Sequence, residues 1–216
     1  MGSIGEEIHP SVPETFRLSG KRIGVFLDRD GTLNTEVSFI RSPEELELIP
    51  GTARAVRKLN EKGFTVCVIT NQSGVARGFL SEADLVPIHE LLREELMREG
   101  ATLDQIYYCP HHPVAGNEPY NVECDCRKPK PGMLQRGAKE FGLDLQRSFV
   151  VGDSVVDIEA GNFVGARSIL VQTGYGKKTL QTCSEKNIPI DFVADSIVEA
   201  ADYIIEQVEG RNIQND

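Results

Sequence analysis

No apolar run in the 216 residues approaches the roughly 18 to 20 needed to cross a bilayer, so a membrane-spanning helix is not expected. The first 20 residues carry Glu6, Glu7 and Glu14 and lack the apolar stretch of a secretory signal, and read instead as an N-terminal extension. Basic charge is short: 23 Lys and Arg against 33 Asp and Glu leave a net −10. That balance lacks the footprint of a protein whose main partner is nucleic acid or an anionic membrane. Cysteine is sparse and odd in number, five in all, which argues against a disulfide framework and for a reducing, cytoplasmic setting. Internal repeats and low-complexity tracts are also missing. What remains is ordinary globular composition, 40% hydrophobic and 26% charged, enough for one sizeable core. The length predicts one domain, residues 21–210, expected to act as a monomer.

Apolar runs alternate with amphipathic segments. Arg22 to Leu27, Thr65 to Ile69, Ile106 to Cys109, Phe149 to Val151, Ser168 to Val171 and Phe192 to Ala194 read as buried strands. Helices are expected over Thr52 to Lys62, Ser81 to Glu99, Gly132 to Phe141, Ser154 to Val164 and Ser196 to Val208. Ser81 and Asp84 form a start signal for the second helix, whereas Pro87 predicts a kink or a later start. The alternation predicts an α/β fold, a Rossmann-like, doubly wound parallel sheet with helices on both faces. Ligands in such folds bind at the carboxyl ends of the strands.

Polar residues of chemical interest fall at those ends. Asp28-Arg29-Asp30-Gly31-Thr32 places two carboxylates on one side of an extended segment, and oxygen ligands of this kind suit Mg²⁺. Asp30-Gly31 also reads as a plain turn. Thr70-Asn71-Gln72-Ser73-Gly74 offers a hydroxyl and backbone amides as a phosphate cradle, and Arg127-Lys128-Pro129 offers cations in a loop stiffened by proline. Asp153 follows the fourth strand as a further metal ligand. Asp157, three residues after Ser154, reads first as a helix cap.

Together and in this order, these motifs resemble the haloacid dehalogenase superfamily of phosphotransferases over about Arg22 to Thr173. The resemblance implies that Asp28 attacks phosphorus to form an aspartyl-phosphate, and that Asp30 first protonates the leaving group and then activates water. It implies Thr70 and Lys128 as holders of the phosphoryl oxygens, and Mg²⁺ on Asp28, the carbonyl of Asp30, and Asp153. A phospho-accepting signalling module is disfavoured, because Asp30 would hasten loss of the phosphate. No large insertion follows the first or second motif, so no cap domain is expected.

Cys109-Pro110-His111-His112-Pro113 and Cys124-Asp125-Cys126 supply three thiols and an imidazole, a set suited to a structural Zn²⁺ that staples loop 109–126. The residues leave His111 and His112 both open; the resemblance favours His111. Within the superfamily, this loop and Thr70 to Gly78 resemble the D-glycero-D-manno-heptose 1,7-bisphosphate phosphatases, with histidinol-phosphate phosphatases as the alternative. The implied activity is removal of the 7-phosphate from a small sugar bisphosphate. Arg127, Asn71, Gln72 and Ser73 are then implied as substrate contacts. Glu36 and Phe39 are implied sugar contacts in a segment, Glu36-Val37-Ser38-Phe39, that departs from the His-Gly-Tyr usual there.

Overall fold

The computed structural model describes residues 22–212, and the expected extension of residues 1–20 lies outside them. Six strands, β1 (Gly24–Leu27), β2 (Thr65–Asn71), β3 (Gln105–Cys109), β4 (Phe149–Gly152), β5 (Arg167–Val171) and β6 (Phe192–Ala194), alternate with helices. These are α1 (Thr52–Glu61), α2 (Glu82–Arg98), α3 (Gly132–Phe141), α4 (Val155–Val164), α5 (Gly176–Lys186) and α6 (Ile197–Asn212). The strands form one sheet in the order β3-β2-β1-β4-β5-β6, and every pairing is parallel. The order reverses at β1, which pairs with both β2 and β4. Sheets of this kind hold their ligands at such a switch point.

Alternation along the strands builds a core on each face. Val25, Leu27, Val66, Val68 and Val151 pack against Val56 and Leu59 of α1, Leu92 and Leu96 of α2, and Ile204 of α6. Phe26, Cys67, Ile69 and Val150 point the other way, onto Met133 and Leu134 of α3 and Ala160 of α4. Each large apolar side chain so buried contributes roughly 1.5 to 3 kcal/mol, and a one-residue slip would invert the faces. The register is therefore firm, and it puts Leu27 level with Val68 and Val151. Asp28 thus leaves the sheet within a few residues of both Thr70 and Asp153.

The expected strands and helices are present, with bounds shifted by a few residues. Helix α2 runs unbroken through Pro87, after a capping box between Ser81 and Asp84. The buried stripe Leu85, Ile88, Leu92 and Leu96 outweighs the roughly 3 kcal/mol cost of an interior proline. Helix α5 was not expected from the sequence. Its inward residues are Gly176, Thr179 and Cys183, which carry no apolar periodicity. Among the described residues, 31–51 and 72–81 hold only turns, bends, isolated bridges and one short 3₁₀ helix, Pro43–Glu45, so no cap domain covers the sheet.

Candidate active site

A cleft of about 430 Å³ opens at the carboxyl ends of β1, β2 and β4, lined by Asp28, Asp30, Thr70, Lys128, Asp153 and Arg127 among others. Asp28 continues from β1, its N–H donating to Val151 O at 2.9 Å. Its Oδ1 accepts from Lys128 Nζ at 2.8 Å. Lys128 Nζ also donates to Ile69 O at 2.6 Å and pairs with Asp157 Oδ1 at 2.6 Å. Burial opposes charge on this amine, but Asp157 and Asp28 outweigh it and hold the ammonium protonated. Burial and the charge of Asp157 push the Asp28 carboxyl well above the usual carboxylate range, against the pull of Lys128.

Asp30 faces the same cleft under different control. Burial disfavours its charge, yet Arg29, Asn34 and Gln72 prevail and lower its pKa. The bonds are explicit: Arg29 Nε and Nη2 to Oδ1 at 3.1 and 3.0 Å, Arg29 Nη2 to Oδ2 at 2.9 Å, Asn34 Nδ2 to Oδ1 at 3.0 Å and Gln72 Nε2 to Oδ2 at 2.9 Å. Gln72 Nε2 also donates to Thr70 Oγ1 at 2.8 Å, so one amide links the first two motifs. Asn71 clamps the third motif to the second: its Oδ1 accepts from Lys128 N at 3.0 Å and its Nδ2 donates to Lys128 O at 3.1 Å.

Asp153 is 2% exposed, and its Oδ2 accepts from Tyr175 N at 2.7 Å. Burial raises its pKa to about 7, with Asp157 and Glu36 adding to the rise and the Tyr175 N–H and Lys128 opposing it. Oxygens of Asp28, Asp153 and Asp157 lie within 4.8 Å of one another. Three carboxylates this close and this deeply buried suit a hard divalent cation with oxygen ligands.

A second cluster stands at the cleft's rim. The Sγ atoms of Cys109, Cys124 and Cys126 lie 3.2 to 3.5 Å apart, and His111 Nδ1 is 3.5 Å from Cys126 and 3.7 Å from Cys109. These sulfurs are too distant for disulfides. Thiolates about 2.3 Å from a tetrahedral zinc would sit roughly 3.8 Å apart, so modest expansion of this cluster accommodates the ion. Its hydrogen bonding with Cys109, reinforced by Cys124 and His111, lowers the Cys126 pKa to about 5 despite burial. His112 points elsewhere, its Nδ1 accepting from the N–H groups of Val114 and Ala115 at 3.3 and 3.0 Å.

Known proteins place this geometry. The HAD-hydrolase-like family model matches residues 125–200. A D-glycero-beta-D-manno-heptose-1,7-bisphosphate 7-phosphatase of Haemophilus ducreyi is 39% identical over 187 residues, covering 86% of this chain and 99% of the relative. A D-glycero-D-manno-heptose-1,7-bisphosphate 7-phosphatase of Thermosynechococcus vestitus is 41% identical over 194 residues, 88% of this chain and 99% of its own. The chain belongs to the heptose bisphosphate 7-phosphatase family of HAD-like hydrolases. The crystal structure of D,D-heptose 1,7-bisphosphate phosphatase from B. bronchiseptica, complexed with magnesium and phosphate, superposes on it with a TM-score of 0.76 at 35% identity, covering 86% of this chain and 99% of that one.

Within this family fold, the residues singled out from sequence converge. Ser73, Glu36, Phe39 and Arg127 all line the cleft with the motif residues. Phe39 stacks edge-on against Phe79, with ring centroids 4.9 Å apart, and forms one wall. Arg127 Nη1 donates to His111 O at 3.1 Å, tying the Cys/His loop to the rim. Two readings gain detail. Asn71 and Gln72 also line the cleft, and their amides bind Lys128, Asp30 and Thr70. Asp157 is the helix cap read from sequence, its Oδ2 accepting from Ser154 N at 3.0 Å, and its Oδ1 also pairs with Lys128 at 2.6 Å. Arg29, which holds Asp30 through three hydrogen bonds, was missed, since a residue between two aspartates reads as a spacer.

Proposed function

We propose that this chain hydrolyses the 7-phosphate of D-glycero-D-manno-heptose 1,7-bisphosphate. The observation that carries the reading is the joint placement of Asp28 and Asp30 in one cleft with Thr70, Lys128 and Asp153, in a chain alignable with such 7-phosphatases over 99% of their length. Those relatives also favour a sugar bisphosphate over histidinol phosphate.

An Asp28 carboxylate oxygen attacks phosphorus, forming an O–P bond as the bond to the sugar oxygen breaks. Lys128 neutralises charge at Asp28, and Thr70, whose oxygen accepts from Gln72, keeps its hydroxyl proton for a phosphoryl oxygen. Asp30 is ionised in the free site, and the negative charge of a phosphoryl group beside it raises its proton affinity. It then gives a proton to the departing sugar oxygen and takes one back from the water that attacks the aspartyl-phosphate, a contribution of roughly 10²- to 10⁴-fold. Asp28, Asp153 and the carbonyl of Asp30 would hold Mg²⁺, which when bound supplies charge neutralisation for the phosphoryl oxygens. Arg127 and Glu36 at the mouth meet the remainder of the substrate, Arg127 as partner of the second phosphate. Cys109, His111, Cys124 and Cys126 hold a structural Zn²⁺. We read the enzyme as a cytoplasmic monomer acting on a small molecule; no helix among the described residues is long and apolar enough to cross a membrane.

Initial rates with Mg²⁺ on heptose bisphosphates, other sugar phosphates and histidinol phosphate test the reading, with the heptose 1,7-bisphosphate expected to lead. Asp28→Asn is expected to abolish turnover with its circular dichroism unchanged, because an amide cannot supply the attacking anion. Near-normal turnover by that folded variant would refute the covalent route.

A further inference from the structure

Among the described residues, Arg29 is the largest side chain withdrawn completely from solvent, at 0% exposure. A guanidinium is expensive to bury unless its charge and its N–H groups are met. Nε and Nη2 meet the Asp30 carboxylate. The remaining nitrogen, Nη1, lies 3.3 Å from Nε2 of His89, on α2. The imidazole packs tilted against Tyr108, ring centroids 5.7 Å apart. Burial and the charge of Arg29 lower its pKa to about 3, so it stands neutral and can offer a lone pair to Nη1. The buried residues of α2, Leu85, Ile88, Leu92 and Leu96, serve the core.

We propose that Arg29 and His89 are positioning residues for Asp30: His89 Nε2 anchors Arg29 Nη1, and the planar guanidinium, so fixed, sets the orientation of the Asp30 carboxylate toward the leaving-group oxygen. The inference rests on the reading of Asp30 as proton donor to that oxygen. An aspartate rotates about two side-chain bonds, and proton transfer requires hydrogen-bond reach. A displacement of about 1 Å can cost on the order of 10² in rate. Arginine's rigid fork restrains both rotations at once, which the single-point ammonium of a lysine does not. Asn34 and Gln72 grip the same carboxylate from the turn and from β2's end, but neither contacts His89 or Arg29 in a way that could replace the anchor.

The test uses leaving groups. A sugar alkoxide needs a proton to depart; p-nitrophenolate does not. Because kcat/KM covers only steps up to leaving-group departure, it isolates the acid role from the later hydrolysis. His89→Phe keeps the ring and removes the acceptor, with His89→Leu as a smaller replacement if the ring does not fit. We expect either to lower kcat/KM on the heptose 1,7-bisphosphate roughly 10-fold or more, within the range of general acid catalysis, and to affect p-nitrophenyl phosphate much less. His89→Gln, which restores an acceptor, should recover most of the loss, and Arg29→Lys should behave like His89→Phe or worse. Asp30→Asn is the reference. If it shows no leaving-group discrimination, the acid role of Asp30 falls and the positioning role with it. If Asp30→Asn discriminates but folded His89→Phe and His89→Leu lose both substrates equally, or neither, the positioning role alone is overturned.

Discussion

The Asp153 carboxylate sits between two backbones that can approach only because they lack side chains. A Cβ on Gly31 or on Gly174 would overlap Asp153 Oδ2, and these glycines have φ of +78° and +53°. Gly31 lies within the first motif and Gly174 follows β5, so the wedge joins distant segments around one metal-ligand candidate. Gly31→Ala is expected to cost about 1 to 2 kcal/mol through its left-handed conformation and to push Asp153 out of line. A Mg²⁺ activation curve should then show a several-fold higher half-saturating concentration, whereas an unchanged curve would mean that Asp153 is free to move. Gly31 was legible in sequence as a turn residue; its packing against Asp153 was not, because that contact needs the fourth strand. The same limit hid Arg29 and His89, whose roles exist only once α2 is docked on the sheet.

At the scale of elements, the central strands β1, β2 and β4 were legible because they are buried on both faces and so read as continuous apolar runs. Helix α1 was legible from its amphipathic spacing, with Ala55, Val56 and Leu59 turned inward. Helix α5 was not, since small and polar residues form its inner side. The Cys/His loop was legible from spacing, although no regular secondary structure marks residues 110–131. Its placement explains why it matters: Cys126 directly precedes Arg127 and Lys128, so whatever fixes the sulfurs fixes the cation that pairs with Asp28. Soft thiolates select zinc and hard carboxylates magnesium. Metal analysis after EDTA treatment mild enough to strip only magnesium should therefore find about one zinc per chain, and activity should return with Mg²⁺ alone. Cys124→Ser should lose zinc and much of kcat/KM together. Zinc-free protein with full activity and an intact loop would contradict a structural zinc.

At the scale of the whole molecule, the alternation of strands and helices made the fold class legible, and the switch point at β1 gathers the motifs that sequence could only place in order. The same gathering concentrates negative charge in a chain already at −10, and this links the site to global stability. The Asp153 carboxyl titrates at about 7 in the metal-free fold, against an ordinary 3.8. A group whose pKa is raised by folding stabilises most below its unfolded value, and that contribution is lost as pH rises through the folded one. For Asp153 the window runs from about 3.8 to about 7. Asp30, whose pKa is lowered instead, acts in the opposite sense and only at acid pH, outside this window. Mg²⁺ competes with the proton on Asp153, so its stabilising effect should be small near pH about 5.5 and grow as pH passes about 7. At a magnesium concentration about 100 times its Kd, mass action gives roughly 2.7 kcal/mol, or on the order of 5 to 10 °C in Tm for a domain of this size. Thermal melts across that pH range, with and without Mg²⁺, measure the effect, and Asp153→Asn should weaken it, leaving the part that the likewise raised Asp28 contributes. A magnesium shift independent of pH in the unaltered protein would place the ion away from Asp153.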